Sequence, residues 1–93
     1  MGQREVGAMQ DEYIKRMIKH LPLLRTAVEL TQAQLGKKIG VSRQTIVAIE
    51  NGKRPLPWSV YLAIVLVFKQ YDDTIMLLES YKLFDPDYIV KGI

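Results

Sequence analysis

The stretch LTQAQLGKKIGVSRQTIVAIENGKRP, residues 30–55, constrains this chain more than any other, because two short apolar rhythms meet there at Gly40-Val41-Ser42. Leu35 and Ile39 are spaced as one face of a first helix, and Ile46 and Ile49 as the buried ridge of a second. Thr31 reads as the N-cap of the first and Ser42 as the N-cap of the second. Gly40 stops the first helix in a left-handed conformation that a Cβ would resist, and Val41 plugs the turn inward. Asn51-Gly52 ends the second helix. Gly36 falls mid-helix, where it costs about 1 kcal/mol relative to Ala. Its presence predicts the close approach of another helix backbone.

With Ile46 and Ile49 fixed inward, a step of about 100° per residue turns Gln44 almost opposite the core. Val47 and Ala48 flank it, and Arg43 lies at the edge near the helix start. The first turn is thus Arg43-Gln44-Thr45, beside uncapped N–H groups and the positive end of the helix dipole. An exposed face usually carries Glu and Lys. This one offers hydrogen-bonding forks and a bare aliphatic, each with a counterpart on duplex DNA. Arg forks to guanine O6 and N7, Gln pairs with adenine N6 and N7, and Val meets a thymine methyl. A helix presented N-terminus first to the major groove brings such side chains to base edges.

The same stretch resembles the Cro and phage-repressor type of helix-turn-helix, found in many bacterial regulators and antitoxins. The resemblance covers roughly residues 21–68 and rests on Thr31-Gln32, Leu35, the Gly40-Val41-Ser42 turn, Ile46, Ile49 and Glu50-Asn51-Gly52 at fixed spacing. It implies that Ser42, Arg43 and Gln44, with Val47 or Ala48, read bases. It implies that Gln32 anchors to a phosphate and braces Gln44. Thr45, Asn51, Lys53 and Arg54, with nearby backbone N–H groups, would hold the sugar-phosphate strand; such contacts position the protein while base contacts specify sequence. Two residues depart from the pattern. The family usually has Gly where Glu29 stands, so the preceding helix is expected to end differently. It usually has Ala where Gly36 stands, so the two reading helices are expected to sit slightly closer.

The whole chain reads as all-α, with about five helices. Residues 1–7 are expected to form a flexible arm and 8–93 a single domain, with the helix-turn-helix at 31–51 and a packing or dimerisation part at 58–93. Met9, Tyr13 and Met17, with Ile14 and Ile18, predict an amphipathic helix of about three turns. Pro22 fits the first turn of a second helix, with Leu21, Leu24 and Val28 inward. After the basic, proline-stiffened loop from Lys53 to Pro57, a helix is expected over Ser59 to Lys69. Its Val60 to Phe68 run is apolar all round and must be covered on more than one side. Terminal helices of the same chain can supply that cover, and so can a second copy. Two-fold dimers place reading helices about 34 Å apart, and a homodimer through the C-terminal part is the expectation. Asp72 or Asp73 caps a last helix, with Ile75, Leu78 and Leu83 or neighbouring residues inward. Asp85-Pro86 starts a final turn, and Tyr88 to Ile93 is either a short strand or a tail.

Composition narrows the function. With 93 residues, 48% hydrophobic and 25% charged, the chain suits one globular domain and not disorder. It has no Cys, which excludes disulfides, thiol chemistry and Cys-based zinc sites. No signal peptide is visible, and the apolar run is far short of the roughly 20 residues of a membrane span. A cytoplasmic protein with no membrane role is expected. His20 has no His or Cys partner, and the methionines and aromatics at helical spacing read as core, so no metal or cofactor is expected. Glu50 is expected to pair with Lys53 or an arginine. No phosphate loop, nucleophile elbow or His-acid dyad is present, so the chain is not read as an enzyme.

Charge is asymmetric. Lys37, Lys38, Arg43, Lys53 and Arg54 face only Glu50 within 31–54, whereas Asp72, Asp73, Glu79, Asp85 and Asp87 outnumber Lys82 and Lys91 within 70–93. A basic face can simply be solvated; beside the reading helix it points to a polyanion. The expected function is a sequence-specific regulator of transcription that binds double-stranded DNA, a repressor on a palindromic operator. The alternative is an antitoxin, its C-terminal part binding a toxin while its central helices autoregulate the operon.

Overall fold

A computed structural model describes residues 3–85. Among them are five helices and no strand: α1 (Gln3–Ala27), α2 (Gln32–Ile39), α3 (Arg43–Glu50), α4 (Trp58–Phe68) and α5 (Asp72–Ser80). The all-α expectation holds, but the elements are divided differently at the N-terminus. The turn at Asp85-Pro86 and the segment Tyr88 to Ile93 extend beyond the described residues.

The two helices expected before Thr31 are one helix of 25 residues with Pro22 inside it. An interior proline removes an N–H and crowds the preceding turn, at about 3 kcal/mol. Packing overrides that preference. Tyr13, Met17, Leu21 and Leu24 form one unbroken buried stripe that passes straight through the Pro22 turn. Pro22 itself stays on the outer face. The helix also begins at Gln3, so the arm expected over residues 1–7 is helical from there. Gln3, Arg4 and Glu5 are good helix formers, and Gly7 alone is too weak a breaker to stop them.

α1 packs against α3, α4 and α5, and α2 against α3 and α4. Beneath them lie Ile46, Ile49, Tyr61, Ile64, Phe68 and Leu78, all fully buried or nearly so. The connection out of α1 closes with the Leu30 N–H on the Arg25 carbonyl at 2.8 Å, which forces Glu29 to φ +55°. The chain therefore follows the path a glycine would take there, with a side chain in the left-handed region.

α4 starts one residue before the expected Ser59 and stops before Lys69. Its buried side is Tyr61, Ile64, Val65 and Phe68, while Leu66 is 63% exposed. The terminal helices thus cover part of the apolar run and leave one flank open. Tyr61 stacks on Trp58 with centroids 4.5 Å apart, and its hydroxyl donates to the Leu83 carbonyl.

α5 corrects one expectation, the aspartate cap, and decides which residues line its inner face. Its N-cap position is Tyr71, with no side-chain cap, and Asp72 and Asp73 are the first helical residues. Their charges favour the positive end of the dipole without capping it. Thr74, not Ile75, faces inward: its hydroxyl donates to the Phe68 carbonyl at 2.6 Å and so satisfies an open end of α4. Ile75 is left 37% exposed, whereas Leu78 and Leu83 are buried as expected.

Candidate nucleic-acid interface

Two caps and a glycine turn aim α3. Thr31 accepts the Gln34 N–H at 3.0 Å while the Gln34 side chain accepts the Thr31 N–H at 2.9 Å, a complete capping box. Gly40 sits at φ +80°, and the N–H groups of Gly40 and Val41 both turn back to the Gly36 carbonyl. A Cβ on Gly36 would lie 2.5 Å from the Val41 carbonyl oxygen. Gly36 is thus close to backbone, that of Val41 in the turn and that of Ser42 at the start of α3.

Ser42 starts α3 by accepting the Thr45 N–H at 3.1 Å. With Ile46 and Ile49 at zero exposure, Ser42, Arg43 and Gln44 stand exposed on the outer side. Val47 and Ala48 are half-buried beside them. The Ser42 hydroxyl also bonds the Thr45 hydroxyl at 2.9 Å, which leaves it a single donor or acceptor for anything outside.

The loop after α3 folds back on the helix end. The N–H of Asn51 goes to the Val47 carbonyl, that of Gly52 to Ile49, and those of Lys53 and Arg54 to Ala48. The backbone donors expected to hold a nucleic-acid strand here are turned inward. What this loop offers outward is side chains: Asn51, Lys53 and Arg54 are all exposed. Arg54 is not loose, because its Nη1 donates to the Thr45 hydroxyl at 2.8 Å.

A buried junction holds the frame together. Arg25, in the last turn of α1, donates from Nε to Glu50 Oε2 at 2.6 Å and from Nη2 to Oε1 at 2.9 Å. Its Nη1 donates to the Leu30 carbonyl at 3.1 Å. Glu50 Oε1 also accepts from Gln32 Nε2 at 3.0 Å. The partner of Glu50 is thus Arg25 and not Lys53. A carboxylate only accepts, so the Gln32 amide must turn its nitrogen to Glu50. Gln32 is braced by Glu50, where Gln44 was the expected neighbour.

This geometry agrees with comparison to known proteins. A helix-turn-helix domain family matches residues 19–73. The chain belongs to that family. Over 37 residues it is 57% identical to an uncharacterized HTH-type transcriptional regulator of Methanocaldococcus jannaschii, a match covering 40% of this chain and 56% of the relative. The chain therefore spans little more than half of that relative's length. No solved structure matches the chain.

In this helix-turn-helix the structure gathers Ser42, Arg43, Gln44, Thr45 and Arg54 at one end of α3, with Asn51 and Lys53 at the other and Gln32 at the buried junction. Arg25 was missed from the sequence. It is 25 residues from Glu50, and no local pattern pairs the two. His20 stacks on Tyr81 at 4.0 Å and donates from Nδ1 to the Arg16 carbonyl at 2.8 Å. Among the described residues no group of three or more His, Asp or Glu side chains is placed to hold a metal. None of their helices is long and apolar enough to cross a membrane.

Proposed function

We propose that this chain is a cytoplasmic, sequence-specific regulator of transcription that binds double-stranded DNA, acting as a repressor at a palindromic operator. The observation that carries this reading is the outward face of α3, where Arg43 and Gln44 stand exposed opposite a ridge buried to zero exposure. Ser42, Arg43 and Gln44, with Val47 or Ala48, take the base edges. Gln32, Asn51, Lys53 and Arg54 hold the backbone and set the register, with Thr45 beside Arg54.

A homodimer through the C-terminal part goes with this function. Leu66 at 63% and Met76 at 71% exposure give that part apolar surface of its own. Selection of binding sites from random duplexes tests the whole reading. The expected result is a two-fold symmetric sequence with half-sites about 10 base pairs apart. Recovery of no preferred sequence would overturn it.

A second reading, an antitoxin-like protein, draws support from Met76, which stands exposed among Asp72, Asp73 and Glu79 on α5. A basic protein partner would complement that surface. A small reading frame beside this gene whose product co-purifies with the chain would favour this second reading.

A further inference from the structure

We propose that Thr45 is a positioning residue for Arg54: its hydroxyl holds the guanidinium against the flank of α3 before any DNA arrives. The inference rests on the DNA-binding reading above and assigns Thr45 a role other than direct phosphate contact.

The hydrogen bonds form a short chain. Arg54 Nη1 donates to Thr45 Oγ1 at 2.8 Å, Thr45 Oγ1 bonds Ser42 Oγ at 2.9 Å, and Ser42 Oγ accepts the Thr45 N–H at 3.1 Å. Arg54 is tethered at its backbone too. Its N–H turns to the Ala48 carbonyl, and Pro55 restricts the residue before it to extended conformations. Thr45 and Arg54 line a cleft of about 460 Å³ together with Val41, Ile49, Pro55, Pro57 and Val60. Such a surface gives the methylene stem of an arginine an apolar bed.

The nature of the anchor matters. Arg16 pairs with Glu12 and Arg25 with Glu50, whereas the anchor of the Arg54 side chain is a hydroxyl. A carboxylate anchor would neutralise the guanidinium, whereas a hydroxyl orders it and leaves its charge available to an anion. One bond uses one of five N–H groups, and the remaining fork still matches a phosphate. Thr45 Oγ1, already bonded to Arg54 and Ser42, keeps one donor or acceptor position, so a direct phosphate contact by Thr45 is the alternative that the test separates. Ordering a long side chain in advance removes an entropic cost otherwise met on binding.

The test uses the full chain and a duplex recovered by site selection, titrated by fluorescence anisotropy over a range of salt. Arg54→Ala should weaken binding and reduce the salt slope by about one. Thr45→Val should weaken binding about two- to tenfold with the salt slope unchanged, since the charge is retained but unordered. Thr45→Ser should restore most of that loss. In the Arg54→Ala background, Thr45→Val should have no further effect. An equal loss from Thr45→Val with and without Arg54 would overturn the proposal and make Thr45 a direct contact. Relaxation of the Arg54 side-chain nitrogen in DNA-free protein gives a separate readout: restricted in wild type, mobile in Thr45→Val, restricted again in Thr45→Ser. Equal mobility in all three overturns the positioning role while leaving the DNA-binding reading intact. A wild-type chain that shows the restriction yet binds no duplex overturns that reading, and with it the role in DNA binding.

Discussion

Arg25 holds Glu50 by two parallel N–H···O bonds of 2.6 and 2.9 Å, joining the end of α1 to the end of α3. Their side chains are 15% and 5% exposed, so this is a largely buried pair. Removing one partner from such a pair strands the other and costs about 3–5 kcal/mol. Arg25→Ala is expected to fall in that range by urea denaturation. Glu50→Gln should do less damage, because an amide can still accept from Arg25 or Gln32. A loss below about 1 kcal/mol for Arg25→Ala would mean that the pair does not hold the helices together.

Gly36→Ala should destabilise the fold even though alanine is the better helix former by about 1 kcal/mol. The new Cβ would sit 2.5 Å from the Val41 carbonyl, and that atom is backbone in a turn already bonded to Gly36. Relieving the contact shifts α3 against α2, at about 1–3 kcal/mol by the usual cost of overpacking. A lower thermal midpoint is the expected observation; a rise would show that the turn yields freely.

Glu29→Gly should act in the opposite direction. Glu29 holds φ +55°, where a side chain costs about 1–2 kcal/mol. Glycine relieves that strain but gains freedom in the unfolded chain, which offsets about 0.5–1 kcal/mol. The net expectation is a stabilisation of about 0–1.5 kcal/mol, read as an upward shift in urea midpoint with unchanged slope. Gly40→Ala, at φ +80°, is the counterpart and should destabilise.

Thr31, Gly40 and Ser42 were legible because caps and left-handed turns depend on neighbours within a few residues. The buried ridge of Ile46 and Ile49 was legible for the same reason. Pro22 misled because its local preference for a helix start lost to a core stripe running from Tyr13 to Leu24. Thr74 lies inside because its hydroxyl reaches the Phe68 carbonyl across the bend between α4 and α5, whose geometry the apolar spacing does not report. Arg25 and the tether between Thr45 and Arg54 join separate elements, so spacing alone did not reveal them.

Leu66→Glu tests the homodimer. Leu66 is 63% exposed, so the substitution should leave thermal stability of the single chain nearly unchanged. In a dimer closed over that flank it buries a charge and should produce monomers by light scattering. Operator affinity should then fall, since each half-site must be bound separately. Monomers in the wild type at micromolar concentration, free and on DNA, would count against a dimer.

The last prediction separates specification from positioning. Gln44 stands exposed on α3 opposite the buried ridge, whereas Lys53 stands exposed on the loop that folds back over the helix end. A glutamine discriminates because its donor and acceptor must both match a base edge, and a mismatched base leaves one of them unpaired. Gln44→Ala should therefore cost about 1–3 kcal/mol on the selected operator and relax preference at one base position per half-site. A lysine acts on phosphate as a point charge, which every sequence presents alike. Lys53→Ala should weaken selected and random duplexes by the same factor and lower the salt slope by about one. Titrating both variants against the operator, a single-base variant and a scrambled duplex measures the two effects separately. If Gln44→Ala weakened all three duplexes equally, α3 would be gripping backbone, and the reading helix would have to be sought elsewhere on the molecule.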